Sequence, residues 1–262
     1  MDDLPTLVQL LLVAAAALAV AGGVVVSATG GKRGVVALPA AGLALALIAQ
    51  IVHGWRRGNV WPLQDNFDAL LWLAILIGGV SLVLRGWGIV PRVDWVSGPI
   101  VALLLAGAAV FGRTTPHEYT DSPWYLTHRL SSYASPVAFA LAACAGAWYL
   151  VLRGKLRQKP HGPPDASYGS LEKLERLNYT AVQIGFVLLT VGLISGLTRV
   201  TRLGEHWFVQ PKVLLSFGAY VVYAVVLYSP ITPALRGKKT AILSIAGFVL
   251  LLGTLAAVQG MK

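Results

Sequence analysis

Residues 67–84 read FDALLWLAILIGGVSLVL, a stretch in which Asp68 is the one charged residue. That length and composition match the roughly 18–20 residues an α-helix needs to cross bilayer hydrocarbon. Comparable runs recur at about 5–27, 35–53, 96–112, 127–152, 178–197, 211–229 and 240–258, separated by short polar breaks. The expected fold class is therefore all-α: a polytopic integral membrane protein of about eight transmembrane helices, a single transmembrane domain over 1–262. Helices are required because lipid offers no partners to open backbone N–H and C=O groups. A β-barrel would show short alternating segments instead.

Composition agrees with this reading. Of 262 residues, 56% are hydrophobic and only 12% charged, and the mean hydropathy is +0.69, whereas soluble domains carry roughly a quarter charged residues. The first run, Leu4 to Val26, follows Met1-Asp2-Asp3 instead of a basic region and has no convincing cleavage site, so it is expected to stay as a first helix. The formal charge of +10 does not imply nucleic acid, which would need a basic face on a soluble domain; the bilayer is the expected partner. The one cysteine, Cys144, lies inside an apolar run. A CxxC motif, a disulfide and a thiolate metal site made by this chain alone are thereby excluded, and any thiol chemistry must come from a partner.

Orientation follows from Lys and Arg. With the N-terminus outside, 13 of the 21 basic residues fall in inner loops and 8 on the outer side. The expectation is an inner (plasma) membrane of bacterial type with both termini outside. The longest break, Arg153 to Arg176, is basic, polar and proline-containing, and reads as an inner linker with a short amphipathic lead into the sixth span.

This topology gathers four of the five histidines on the outer side: His53 ends the second span, His117 precedes the fifth, His128 opens the fifth and His206 precedes the seventh. Trp55, Trp61, Trp124, Tyr125 and Trp207 lie at a similar level. The bland explanation is an interfacial aromatic belt, and for each aromatic taken singly it is preferred. It explains the histidines less well, because His53 and His128 adjoin long apolar runs, where an imidazole needs a partner or a ligand. Two imidazoles from different helices can hold a haem iron axially, and a cleft of aromatic residues rimmed by Arg56, Arg57, Arg129, Arg199 and Arg202 suits a porphyrin with two propionates. Asp65 or Asn66 reads as the cap of the third span, whereas Asp68, further into the first turn, is less easily dismissed as one. Gln210-Pro211-Lys212 reads as a helix start with proline at the first position. The spacing of Gly185, Gly192 and Gly196 reads as close helix packing.

Three patches resemble the cytochrome c assembly membrane protein family, which includes CcsA, CcmC and the HemX-like proteins. Gly58-Asn59-Val60-Trp61-Pro62-Leu63 with Asn66-Phe67-Asp68-Ala69-Leu70 is similar to the family's G-x-x-P-L-x-N-x-Y-E-x-L. Tyr125-Leu126-Thr127-His128-Arg129 with Ser132-Tyr133-Ala134 is similar to its L-x-x-H-x-x-x-x-x-Y-A, and the third patch runs from Gly192 to Leu227. There the chain departs from the family. Gly204, Trp207, Pro211 and Lys212 of the tryptophan-rich outer segment are kept, while its second tryptophan and aspartate are missing. Tyr228 or Ser229 stands where the family has a histidine. These departures place the chain nearer the shorter HemX-like branch.

The resemblance implies a haem-handling protein of cytochrome c biogenesis that binds or presents haem at the outer face. Its expected partners are haem and either apocytochrome c or another assembly subunit. By positional match His53 and His128 become candidate ligands of the haem iron, and Trp207 and Lys212 part of the haem platform. His206 is placed to substitute for a lost ligand, and Trp61, Asn66 and Asp68 complete the candidate set. No acid–base catalyst is expected, and any enzymatic role would be as part of a haem-attachment system. The alternative is a HemX-like regulator that controls a haem-biosynthetic enzyme through its inner loops and carries no haem. A small-molecule transporter ranks last, because it would place ionisable residues deep within the spans.

Overall fold

A computed structural model describes residues 6–29, 37–56, 66–88, 94–111, 123–158, 170–200, 209–232 and 235–260. These contain eight α-helices: α1 (Thr6–Thr29), α2 (Ala37–Arg56), α3 (Asn66–Gly86), α4 (Asp94–Phe111), α5 (Pro123–Gln158), α6 (Leu171–Val200), α7 (Pro211–Leu227) and α8 (Lys238–Gly260). Each overlaps one of the apolar runs. Six are long and apolar enough to cross a membrane, and the remaining two, Asp94–Val110 and Pro211–Leu227, are shorter apolar helices. The protein is an integral membrane protein, and its described residues are all-α in architecture.

The largest difference from the sequence reading lies around the long polar break. The stretch expected as a linker, 153–176, is helical up to Gln158 and again from Leu171, because Leu, Arg, Lys, Gln and Glu are good helix formers that continue the hydrogen-bonded ladder after the apolar run ends. At the new start, the Ser170 hydroxyl accepts the Lys173 N–H at 3.1 Å, a side-chain cap of the kind that fixes helix N-termini. At 36 residues, α5 extends over about 54 Å at 1.5 Å per residue, well beyond a bilayer core of about 30 Å. The reading of Gln210 and Pro211 holds: Gln210 sits at the N-cap in an extended conformation and Pro211 opens α7.

The helices form two compact units, α1–α4 in one and α5–α8 in the other. In the first, α1 packs on α2 and α4, and α3 packs on α4 and α2. Glycines allow backbones to meet there: a Cβ on Gly98 would lie 2.7 Å from the Ala19 carbonyl oxygen, and one on Gly23 would lie 2.7 Å from that of Asp94. A buried ion pair, Arg85 Nη1 to Asp94 Oδ2 at 2.6 Å, ties the end of α3 to the start of α4.

In the second unit α5 packs on α6 and α8, and α7 packs on α8 and α6. Its core holds the stacked rings of Phe139 and Tyr223, with centroids 3.6 Å apart. Asn178 is the polar hub: its Nδ2 donates to the Ala142 carbonyl at 2.7 Å, and its Oδ1 accepts the Ser244 hydroxyl at 3.1 Å. One amide thus joins α5, α6 and α8, as interhelical hydrogen bonds do where no water competes. Arg153, Lys155 and Arg157 near the end of α5, Lys173 and Arg176 at the start of α6, and Arg236, Lys238 and Lys239 at the α7–α8 turn mark the same end of this unit.

Candidate functional site

The buried face of α2 comprises Gly42, Ala46, Ala49, Gln50, His53 and Gly54. Their spacing of three and four residues puts them on one stripe of the helix, so a polar pair, Gln50 and His53, is carried into the packed side near its end. His53 is only 6% exposed, and its ring lies against Phe67 of α3, with centroids 4.5 Å apart and planes tilted by 55°. The adjacent Asp68 is fully buried and accepts a hydrogen bond from Gln50 Nε2 at 2.8 Å. Asp68 is therefore committed across the α2–α3 contact, consistent with its position beyond the cap. Gln50 was not among the sequence-derived candidates; its only sequence signal is an amide inside an otherwise apolar run. Two buried polar atoms here have no hydrogen-bond partner, Gln50 Oε1 and Trp72 Nε1, which is unusual for buried polar groups. Asn66 is the first residue of α3.

His128 belongs to the second unit, near the start of α5. Its Nδ1 is 2.8 Å from the carbonyl oxygen of Gly192 on α6. A carbonyl can only accept, so Nδ1 carries the proton, and the lone pair of the neutral ring resides on Nε2. Gly196, one turn further along α6, faces the same ring: a Cβ there would lie 2.7 Å from His128 Cε1. The small-residue spacing read as helix packing is thus also the seat of a histidine. Beside it, the Arg129 guanidinium sits 5.3 Å over the Tyr125 ring, and Lys212 is half-buried in the first turn of α7. Trp55 and Trp124 are 80% and 62% exposed, as members of an interfacial belt are. Trp61, His206 and Trp207 lie outside the described residues.

His53, Asn66 and Asp68 thus share the first unit and His128 and Lys212 the second. Among the described residues no group of three His, Cys, Asp or Glu side chains converges on a metal position, so these residues alone do not build a metal centre. What the geometry does provide is one oriented imidazole, that of His128, held through Nδ1 by the Gly192 carbonyl. A hollow of about 30 Å³ in the first unit, lined by Ala46, Ala74, Gly78, Ser81, Asp94 and Ser97 among others, holds a water or two and is far too small for a porphyrin.

The family described as "Cytochrome C assembly protein" matches residues 63–258. A cytochrome c biogenesis protein CcsA of Prochlorococcus marinus (strain NATL2A) is 28% identical over 247 residues, covering 79% of this chain and 76% of that protein. The CcsA of Synechococcus sp. (strain CC9902) is 25% identical over 257 residues, covering 84% and 82%. The CcsA of Mesostigma viride is 23% identical over 223 residues, covering 75% and 73%. These relatives bear the CcsA name and lend no support to the expected HemX-like placement. No solved structure matches the chain.

Proposed function

Because the chain belongs to the cytochrome c assembly protein family, a membrane protein family of cytochrome c biogenesis, we propose that it binds haem at the outer face of the membrane and presents it for attachment to apocytochrome c. The observation that carries the proposal is His128: a half-buried imidazole at a helix end, its Nδ1 bonded to a backbone carbonyl at 2.8 Å. This is the arrangement by which proteins orient metal-ligating histidines. His53, buried against Phe67, is the other candidate ligand.

Haem supplies the iron and the porphyrin that become attached to the apoprotein; the rest falls to the chain's own side chains. His128 would hold and orient haem, and His53 would be the candidate ligand within the first unit. Arg129 and Lys212 place positive charge near His128's end of the second unit, where propionates are accommodated. Trp207, His206 and Trp61 extend the haem platform in the outer segments. Cys144 is buried within α5, so the thiols that become thioethers belong to apocytochrome c. On this reading the chain's part in catalysis would be to position haem and supply ligands to it. The distribution of Lys and Arg supports both termini being outside an inner membrane of bacterial type.

The test is complementation. In cells lacking this protein, the wild-type chain is expected to restore covalently haem-stained c-type cytochromes, and His128→Ala at equal membrane abundance is expected not to. Full restoration by a His53→Ala/His128→Ala double variant would overturn the proposal.

A further inference from the structure

The geometry points to Gly196, acting with the Gly192 carbonyl, as a positioning residue that fixes the ring orientation and tautomer of His128 and so selects Nε2 as the nitrogen offered to haem; this rests on the reading of His128 as a ligand. Two contacts on α6 define the ring. Gly192 O receives the Nδ1 proton at 2.8 Å. Four residues on, at Gly196, a Cβ would lie 2.7 Å from Cε1, 3.0 Å from Nδ1 and 3.6 Å from Nε2. Cε1 and Nδ1 are thus the ring edge lying against the helix, and the absence of a side chain at position 196 lets that edge come within hydrogen-bonding reach of the backbone. A side chain there requires the ring to shift from its seat against the Gly192 carbonyl.

Hydroxyls reinforce the seat from both helices. Ser131 Oγ donates to the carbonyls of Thr127 at 2.7 Å and His128 at 3.1 Å, and Ser195 Oγ donates to the Val191 and Gly192 carbonyls at 2.6 and 3.2 Å. These bonds run within their own helices, whereas the imidazole crosses from α5 to the Gly192 carbonyl. Gly185 provides the internal control. It lies on the same α5–α6 interface, and a Cβ there would come within 2.8 Å of the Phe139 ring, so it reports helix packing without touching the histidine.

The experiment uses full-length protein with ¹⁵N-labelled histidine, first without haem. His128→Ala assigns the resonance. The wild type is expected to show Nδ1 protonated and Nε2 carrying the lone pair; the opposite tautomer in the folded wild type overturns the inference without any variant. Gly196→Ala is expected to lose that single tautomer, and Gly185→Ala to keep it. Added haem is then titrated optically. Gly196→Ala is expected to bind on the order of tenfold or more weakly, the range seen when a partner orienting a metal-ligating histidine is removed, with a shifted Soret band, whereas Gly185→Ala retains wild-type affinity. Unchanged tautomer and affinity in Gly196→Ala overturns the positioning role while leaving haem binding intact. A wild type that takes up no haem overturns the ligand reading itself, and the nitrogen shifts tell that failure apart from the first.

Discussion

Replacing Arg85 by methionine strands a carboxylate inside the first unit. The Arg85 and Asp94 side chains are 5% and 4% exposed and meet at 2.6 Å, so Asp94 keeps its burial when the guanidinium goes. Loss of one partner from a buried ion pair costs about 3–5 kcal/mol, far more than the roughly 0–1 kcal/mol of an exposed pair. The same principle gives a second, opposite expectation. Replacing both partners by apolar residues of similar volume is often neutral, so Arg85→Met/Asp94→Leu is expected to recover most of the loss and fall within about 1–2 kcal/mol of wild type. The assay is reversible unfolding in mixed detergent micelles followed by tryptophan fluorescence. A single Arg85→Met variant within about 0.5 kcal/mol of wild type, the range of an ordinary surface change, refutes the view that this pair secures the α3–α4 connection.

Other substitutions test the packing that positions the site. Asn178→Ala removes the bonds to Ala142 and Ser244 and is expected to cost about 1–2 kcal/mol in the same unfolding assay, given interhelical bonds in membranes of about 0.6 kcal/mol on average and at most about 1.7. Gly98→Ala places a methyl 2.7 Å from the Ala19 carbonyl oxygen, a backbone atom that cannot swing aside, and is expected to cost about 1–3 kcal/mol; Gly79→Ala, where nothing lies within 4 Å, is the neutral control. Gln50→Leu deprives the buried Asp68 of a donor and is expected to destabilise by about 1–3 kcal/mol, read as a lower midpoint of thermal aggregation in detergent.

The helices were legible because spanning a bilayer imposes both length and composition, and every apolar run in the sequence became a helix. Their polar ends were not, because hydropathy reports where the apolar run stops, whereas helical hydrogen bonding continues through Leu156, Arg157 and Gln158. Asp68 attracted notice by standing further into the first turn than the capping residues. Its donor, Gln50, did not: the two are 18 residues apart, and a lone amide carries no local pattern. The same limit applies to His128. Both the histidine and the glycine spacing on α6 were visible separately, but the carbonyl that orients the ring is 64 residues away, and nothing in a one-dimensional pattern pairs them. The HemX-like placement drew on missing residues in the outer segment, and the family match along 63–258 gives the family without confirming that branch.

The most direct test of the central claim is the visible spectrum of the purified protein, oxidised and reduced, for wild type, His53→Ala and His128→Ala. The account predicts a Soret band with α and β bands in the wild type, weakened or shifted in His128→Ala. A haem-free wild type that also fails to take up added haem would contradict it.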